Sequence, residues 1–470
     1  MSTPAASPQP NDQGLFEVRR KIYPRAVSGG FATLRWAVVW LTQLAFYGVA
    51  WLPWNDRQAV LFELVARKFY IFGFVFWPQD FIYLTLLLVI CALSLFLFTA
   101  IAGRLWCGYA CPQTVYTEIF LWVERVVEGD RVARTKLDAG PLTARKFGLK
   151  AAKHSVWAAI GLWTGLTFVG YFTPIRELGA SALSFTLGPW ETFWVLFYGL
   201  ATYGNAGWMR EQVCKYMCPY ARFQGAMFDR DTLIIAYDPQ RGEPRGARSK
   251  SADPKLKNLG YCVDCSICVQ ACPTGIDIRD GLQYECIGCA ACIDGCNQVM
   301  DKMGYPRGLI RYSTEHAVAS GEGTWRGIVG HLIRPRVLIY AGILTAVVGA
   351  TITALSLRVP LKVDVIRDRG AIVREVEDGQ LENVYRLQVM NTTEAARRYR
   401  LSVDGGAGIR IASDTVIEMA PASTRAFPVR IRMPAEAAAG GSQPIHITVA
   451  DDSGSGIRVT EKAVFLSPRK

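Results

Sequence analysis

The chain has 470 residues, 51% of them hydrophobic, and a mean hydropathy of +0.17. That length allows two or three domains, and the average is too apolar for an ordinary water-soluble enzyme, so part of the chain belongs in lipid. A net charge of +12 with pI near 9.1 would suit a nucleic-acid binder, but the placement of the basic residues along the chain argues against nucleic acid as a partner.

Residues 1–30 form a polar, proline-containing tail with no apolar stretch, so a conventional cleavable signal is not expected. "VRRKIYP" holds a twin arginine, yet the long apolar run behind it reads as an uncleaved signal-anchor. Five runs, 31–53, 81–103, 154–174, 188–207 and 337–357, approach the roughly 20 residues that cross a bilayer as a helix. "FYIFGFVFW", residues 69–77, is too short and is broken by Gly73 and Pro78, so it is expected to be re-entrant or interfacial. Arg19, Arg20, Lys21 and Arg25 precede the first run, and a dense basic set from Arg104 to Lys153 fills the loop after the second. The loop after the third run has only Arg176, and the one after the first has Arg57, Arg67 and Lys68. The positive-inside rule then puts the N-terminus and segment 208–336 in the cytoplasm, and residues 358–470 outside it.

Two cysteine pairs follow the second and fourth runs: "WCGYACP" with Cys107 and Cys111, and "VCKYMCP" with Cys214 and Cys218. Tyr109 and Tyr216 match, as do Pro112 and Pro219, which reads as an internal duplication. Four-residue spacing predicts both thiols of a pair on one helical face, about a turn apart. Such thiols suit Cu(I), with Met209 and Met217 as extra donors; they equally suit a redox dithiol, or four thiolates meeting at a further metal centre. The plainest alternative is small cysteines capping two helices. Cys91, alone within the second run, is expected to be a packing residue, and Phe223, Met227 and Phe228 an interfacial helix face.

"YCVDCSICVQACP" and "YECIGCAACIDGCNQ" each carry C-x2-C-x2-C-x3-C. Three thiolates of one loop grip three corners of a cubane cluster and the fourth comes from the other motif. Cys262, Cys265, Cys268 and Cys296 are therefore expected to hold one 4Fe–4S cluster, and Cys272, Cys286, Cys289 and Cys292 a second. Disulfides conflict with a cytoplasmic setting, and zinc sites use two separated pairs rather than regular triplets. Asn297 stands where a proline is usual. Only four histidines, His154, His316, His331 and His446, argue against a bis-histidine haem in the membrane, and C-x-x-C-H is missing, as are G-x-G-x-x-G and phosphate-loop patterns.

Beyond Pro360, segments such as "LKVDVIRD", "VYRLQVMN", "RYRLSVDG" and "IRVTEKAVFL" alternate apolar and polar residues between turn residues, the pattern of an immunoglobulin-like sandwich of about 100 residues. This part has no cysteine, which points to a docking or spacer module. "NTT" at Asn391 matches a glycosylation acceptor by chance. The expected fold is a polytopic α-helical membrane protein: the 1–30 tail, four spans over 31–207, a cytoplasmic segment 208–336 with a bacterial-type two-cluster ferredoxin module near 255–305, a last span 337–357, and a periplasmic all-β immunoglobulin-like sandwich over 358–470.

Over nearly its whole length this order of spans, C-x-x-x-C-P pairs, double ferredoxin motif and C-terminal sandwich resembles the cytochrome c oxidase accessory proteins of the CcoG, or FixG/Rdx, type. The resemblance implies a bacterial inner-membrane protein that supports assembly of cbb3-type oxidase by reducing Cu(II) to Cu(I). It makes Cys107, Cys111, Cys214 and Cys218 the copper-handling, catalytic thiols, and the eight motif cysteines the cluster ligands. Expected partners are the bilayer, oxidase subunits or copper chaperones, and an electron donor the sequence does not name; assembly with further copies of the chain is left open. Two other readings remain: a quinol-oxidising ferredoxin of the NapH and NosR kind feeding a respiratory reductase, and an assembly scaffold whose clusters serve stability alone.

Overall fold

The computed structural model describes residues 21–252, 258–320, 334–368, 373–376, 379–438 and 440–468. Residues 1–20 of the expected tail, with Arg19 and Arg20, and residues 321–333 of the expected cytoplasmic segment with His331, lie outside the described residues. The described chain falls into two compact units.

The first unit comprises residues 1–42, 96–163 and 197–337. It contains the start of α1 (Gly30–Trp51), the end of α2 (Phe81–Ala102), α3 (Leu105–Tyr109), α4 (Pro112–Glu128), α5 (Arg131–Ala139) and most of α6 (Ala144–Val169). The end of α8 (Pro189–Thr202) passes into a π-helix, Tyr203–Met209; a second π-helix, Val213–Met217, leads into α9 (Pro219–Met227). The cysteine-rich region then folds around β6 (Ile234–Tyr237), α10 (Pro239–Gly242), α11 (Ile267–Ala271), α12 (Ala291–Met303), β7 (Ile310–Ser313) and α13 (Glu315–Ser320). β6 and β7 pair antiparallel, and their inner residues Ile235, Tyr237 and Ile310 form one core with Ile293, Met300 and Cys268.

The second unit comprises residues 43–95, 164–196 and 338–470. After α1 the chain makes the short pair β1 (Pro53–Trp54) and β2 (Arg57–Gln58), then a meander of β3 (Val60–Glu63), β4 (Lys68–Ile71) and β5 (Phe74–Phe76). Residues 69–77, expected to be re-entrant or interfacial, are thus two strands and a tight turn. Their period is two rather than 3.6: Tyr70, Val75 and Trp77 point inward with Leu61 to make a small core, and Gly73 sits in the turn that a helix reading took for a break. α7 (Ile175–Leu183) and the last long helix, α14 (Pro335–Ser356), which begins in the first unit, complete the helical part.

The C-terminal region is the expected two-sheet sandwich. β8 (Leu361–Arg367), β9 (Arg374–Val376), β10 (Gln380–Asn391), β12 (Arg410–Ile411) and β14 (Thr424–Pro434) form one sheet. β11 (Arg397–Asp404), β13 (Val416–Met419), β15 (Gly441–Asp451) and β16 (Arg458–Ser467) form the other, in the order β13-β11-β15-β16. Alternate residues Leu387, Val389, Leu401, Ile445, Ile447 and Val449 fill the core between the two sheets. Asn391 is fully buried, donating from Nδ2 to the carbonyls of Ala395 and Ala420, which takes its amide away from any glycosylation chemistry.

All five apolar runs are helical. Among the described residues, two helices are long and apolar enough to cross a membrane by composition, Pro78–Ala102 at mean hydropathy 2.8 and Pro335–Ser356 at 2.0. α1 exposes Trp40, Leu41 and Leu44 by 62–69%, an apolar surface of the kind lipid covers. Cys91, expected to be a small packing residue, lies on the exposed face of α2.

Candidate functional site

The eight motif cysteines line two neighbouring cavities. One cavity is lined by Cys262, Cys265, Cys268 and Cys296, and another by Cys272, Cys286, Cys289 and Cys292 with Cys268 on its wall. The two loops share a backbone device. Asp264 and Ser266 in the first, and Gly288 and Ala290 at the matching positions of the second, all have left-handed φ between 52° and 71°. Left-handed residues interleaved with right-handed ones turn successive N–H groups inward, forming the concave nests that bind anions and iron–sulfur clusters. For Asp264, Ser266 and Ala290, which carry a Cβ, this conformation is costly and persists only where the site requires it.

Burial pushes the thiols of Cys268 and Cys289 up to about 11 and those of Cys286 and Cys296 up to about 12. Such groups stay protonated in water-like conditions and become thiolates when a metal displaces the proton. Among the described residues, no three His, Cys, Asp or Glu side chains close round a single ion position. A cubane spreads its four ligands around an eight-atom body, and each cavity is lined by four motif cysteines. The donor set, the nests and the two cavities all fit 4Fe–4S clusters. Asn297, in place of a proline, accepts a hydrogen bond from the Gly308 amide at 3.1 Å and so holds the strand-leading loop.

The cluster loops are locked to the helices. Asp294 on α12 accepts from the amides of Phe31 (3.4 Å) and Ala32 (2.7 Å), capping the start of α1. Arg35, 6% exposed, donates to the Cys289 carbonyl. Arg104, 7% exposed, donates to the carbonyls of Tyr284, Cys286 (3.4 Å) and Ala221 (2.5 Å). Neither arginine was singled out from the sequence, because an isolated basic residue near a span reads only as an orientation signal.

Two of the four outlying thiols lie against the second cluster loop, and the other two are their electrostatic neighbours. Cys107 and Cys214 pack in one cluster with Ala271, Ile287, Cys289 and Ala291. Burial, then the neighbouring Cys111, pushes Cys107 up to about 11 and Cys214 up to about 12, and Cys218 acts on both. Gly108, between the two cysteines of the first pair, touches the Gly288–Cys289 backbone so closely that a Cβ there would stand 2.7 Å from the Gly288 carbonyl. Tyr109 is buried, its hydroxyl 3.2 Å from that of Tyr312, which in turn donates to the Gly288 carbonyl at 2.7 Å.

The pairs are not on single helical faces as expected. Cys107 sits in α3 and Cys111 caps α4 in an extended conformation; Cys214 lies in a π-helix and Cys218, also extended, caps α9. The cause is Pro112 and Pro219, which disfavour helix in the residue before them and open new helices at their own positions. The duplication is therefore broken helix, capping cysteine, proline-started helix, with the π-helical turn only in the second copy. Met217 is 55% exposed and Met209 ends the first π-helix; the packed thiol cluster is apolar otherwise. Phe223 is 64% exposed on α9, in keeping with an interfacial face. All thirteen cysteines are free thiols.

Beside the thiols, α4, α5, α6 and the turn after the first π-helix meet in a buried ionic cluster. Glu124 accepts from Arg134 and Arg210, each at 2.7 Å, with Lys153 at 3.8 Å, and Glu128 pairs with Lys150 and Lys153. Burial would raise the Glu124 carboxyl, but the Arg210 and Arg134 guanidiniums hold it below the usual carboxylate range.

Comparison with known proteins agrees with this architecture. Residues 209–315 match a 4Fe-4S dicluster domain, residues 84–128 a 4Fe-4S binding domain, and residues 351–468 the immunoglobulin-like fold at the C-terminus of FixG. The chain is 39% identical to nitrogen fixation protein FixG of Rhizobium meliloti over 97% of its own length and 94% of that protein's. It is 40% identical to protein RdxA of Cereibacter sphaeroides, over 97% and 99%. Ferredoxin-type protein NapH of Haemophilus influenzae is 23% identical over 46% of the chain and 68% of its own. A FixG-related protein from Vibrio parahaemolyticus, known as a crystal structure, matches 23% of this chain and 96% of that one at 23% identity, TM-score 0.21. With its iron–sulfur electron-transfer module and its C-terminal immunoglobulin-like domain, the chain belongs to the FixG/Rdx family of membrane ferredoxins.

Proposed function

We propose that this protein is a bacterial inner-membrane electron-transfer protein that reduces Cu(II) to Cu(I) in support of cbb3-type cytochrome c oxidase assembly. The observation that carries the reading is the packing of Cys107 and Cys214 against the Cys289 loop, with Cys111 and Cys218 close enough to act on both. When bound, the 4Fe–4S clusters supply single electrons, and Cu(II) to Cu(I) is a one-electron step. The residues of the chain do the rest. Cysteine thiolates prefer Cu(I) to Cu(II), so capture by the four thiols favours the reduced product. Their raised pKa values mean that each thiolate formed on copper releases a proton.

In this reading five helices span the membrane, the N-terminus and the two-cluster module face the cytoplasm, and the sandwich stands in the periplasm. The basic loop between α2 and α6, the two apolar helices of span length and the lipid-like exposure of α1 support it. The NapH likeness covers under half of the chain, and a quinol-oxidising role leaves the C-terminal domain without a use.

The test uses purified protein with reduced clusters, mixed anaerobically with Cu(II) and a Cu(I)-specific chromophore. Wild type should bleach cluster reduction and produce Cu(I) in step. Cys107→Ala and Cys214→Ala should retain iron but lose coupled Cu(I) formation by at least about tenfold, a loss of about 1.4 kcal/mol in the coupling. Reduced clusters that ignore Cu(II), with quinone reduced or quinol oxidised instead, would replace copper by quinone chemistry. Variants that keep full copper reduction would remove the thiols from the mechanism.

A further inference from the structure

The two cluster sites differ in how charge is placed around them. Each site has two buried cysteines, Cys262 and Cys268 in the first and Cys289 and Cys292 in the second, but only the first has a cysteine, Cys265, exposed to solvent, so the second is the more enclosed. Burial alone opposes reduction, because a cluster gains negative charge when it takes up an electron and water no longer stabilises that charge. The second site is also the one that contacts the outlying thiols, through Gly108 and the Cys107–Cys214 packing. Something has to keep it reducible.

Two guanidiniums are built into that site. Arg35 donates to the carbonyl of Cys289 and Arg104 to the carbonyl of Cys286, and both side chains are more than nine-tenths buried. The partners that fix Arg104 are neutral carbonyls, and its Nε has no partner among the described residues. The carboxylates nearest Arg35 are Glu118 and Asp294, and Asp294 spends its oxygens on the start of α1. The first site has cations of another kind. Arg279 is neutralised by Asp277 at 2.6 Å and Asp264 at 2.5 Å, and Arg248, which donates to the Cys262 carbonyl, is partly exposed rather than buried. Buried, carbonyl-held charge acts on a neighbour through a low dielectric, while a paired or solvated guanidinium is screened.

We infer that Arg35 and Arg104 are positioning residues for electron uptake, each raising the reduction potential of the cluster held by Cys272, Cys286, Cys289 and Cys292. The inference rests on the ligand partition above and is independent of what the electrons finally reduce. The step is a one-electron uptake per cluster, with dithionite as the reductant and no bond made or broken in the protein.

The experiment is an anaerobic redox titration of the purified full-length protein, following each cluster by its electron paramagnetic resonance signal. Cys265→Ser, which alters the first cluster alone, assigns the signals. Arg35→Gln and Arg104→Gln should each lower the reduced-to-oxidised ratio of the second cluster about tenfold at fixed ambient potential, about 59 mV for a one-electron couple, and leave the first where it was. Arg35→Lys and Arg104→Lys, which keep the charge, should recover most of the shift. Arg279→Gln should move the first cluster by much less. Unchanged potentials in both glutamine variants overturn the inference, as does an equal shift of both clusters. Should a glutamine variant lose iron, the lysine variant decides: a second-cluster potential lowered as far as carbonyl-bond loss alone would take it, despite the retained charge, also overturns it. Iron content that does not support two clusters in wild type would instead remove the ligand partition.

Discussion

Glu124 shows what single residues do behind the thiols. It is 2% exposed and faces three cations, Arg134, Arg210 and Lys153, from three different elements. Glu124→Gln would leave those cations buried without their anion, a change that costs about 3–5 kcal/mol where a buried pair is broken from one side. The expected result is a clear drop in unfolding temperature in detergent with the iron content retained at low temperature. The pH dependence has a definite sign. Because the folded carboxyl is held below its unfolded value, its contribution is complete above the ordinary carboxylate range, about pH 4.3, and fades as pH falls through the lower folded value. The gap between wild type and variant should therefore be constant from pH 8 to 6 and shrink only in acid; a gap that closes between pH 7 and 6 would contradict this assignment. At this scale the sequence was legible only where residues form patterns. Eight cysteines in two triplets and two followers dictated their own partition, whereas Glu124, Arg35 and Arg104 are isolated charges whose partners lie about 10 to 250 residues away along the chain, and no spacing links them.

Elements were legible where one period dominated. The sandwich strands and the long apolar helices announced themselves, but α4 lay hidden in a loop judged by its charges, although Val115, Phe120 and Val123 mark its buried face. The C-x-x-x-C-P segments misled for a related reason: spacing of four implies a helical face, and the proline that follows each pair breaks that helix at its second cysteine. The break is useful, since it lets α3 lay the Gly108 backbone directly on the Gly288 turn. Gly108→Ala tests this. Its Cβ would meet backbone atoms of Gly288 and Cys289 at 2.7–2.8 Å, and neither can move without shifting a cluster ligand. Overpacking of this kind costs about 1–3 kcal/mol, so the variant should lose iron preferentially from the second cluster and slow transfer to copper. Gly204→Ala, where the added methyl meets open space, is the matched control and should behave as wild type. Full iron and unaltered transfer in Gly108→Ala would show that the close approach carries no function.

For the molecule as a whole, order of segments was more informative than any one of them: spans, thiol pairs, cluster module and sandwich in this sequence define the family, and each alone is shared more widely. What the sequence did not disclose is how the cysteine-free sandwich is held within its own unit. Asp80, 5% exposed at the start of α2, accepts from Arg358 at 2.7 Å and pairs with Lys362, and Arg358 also donates to the Val75 carbonyl at 2.7 Å. These are the residues between α14 and the body of β8, so the connection is clamped rather than left as a free tether. At the other side Glu394, in the turn after β10, accepts from Asn55 at 2.7 Å and pairs with Arg57. A clamp on two sides implies that the sandwich is fixed within its own unit rather than swinging on a free tether. Asp80→Asn should then release the connection: Arg358 and Lys362 become substrates for trypsin, and each 1.4 kcal/mol removed from the clamp raises the cleavable population about tenfold. Cluster content and copper reduction should not change, because the Asp80 contacts and the cluster site belong to different compact units. Cleavage no faster than in wild type would mean that the strand pairing of β8 with β10, not the charge clamp, holds the connection closed.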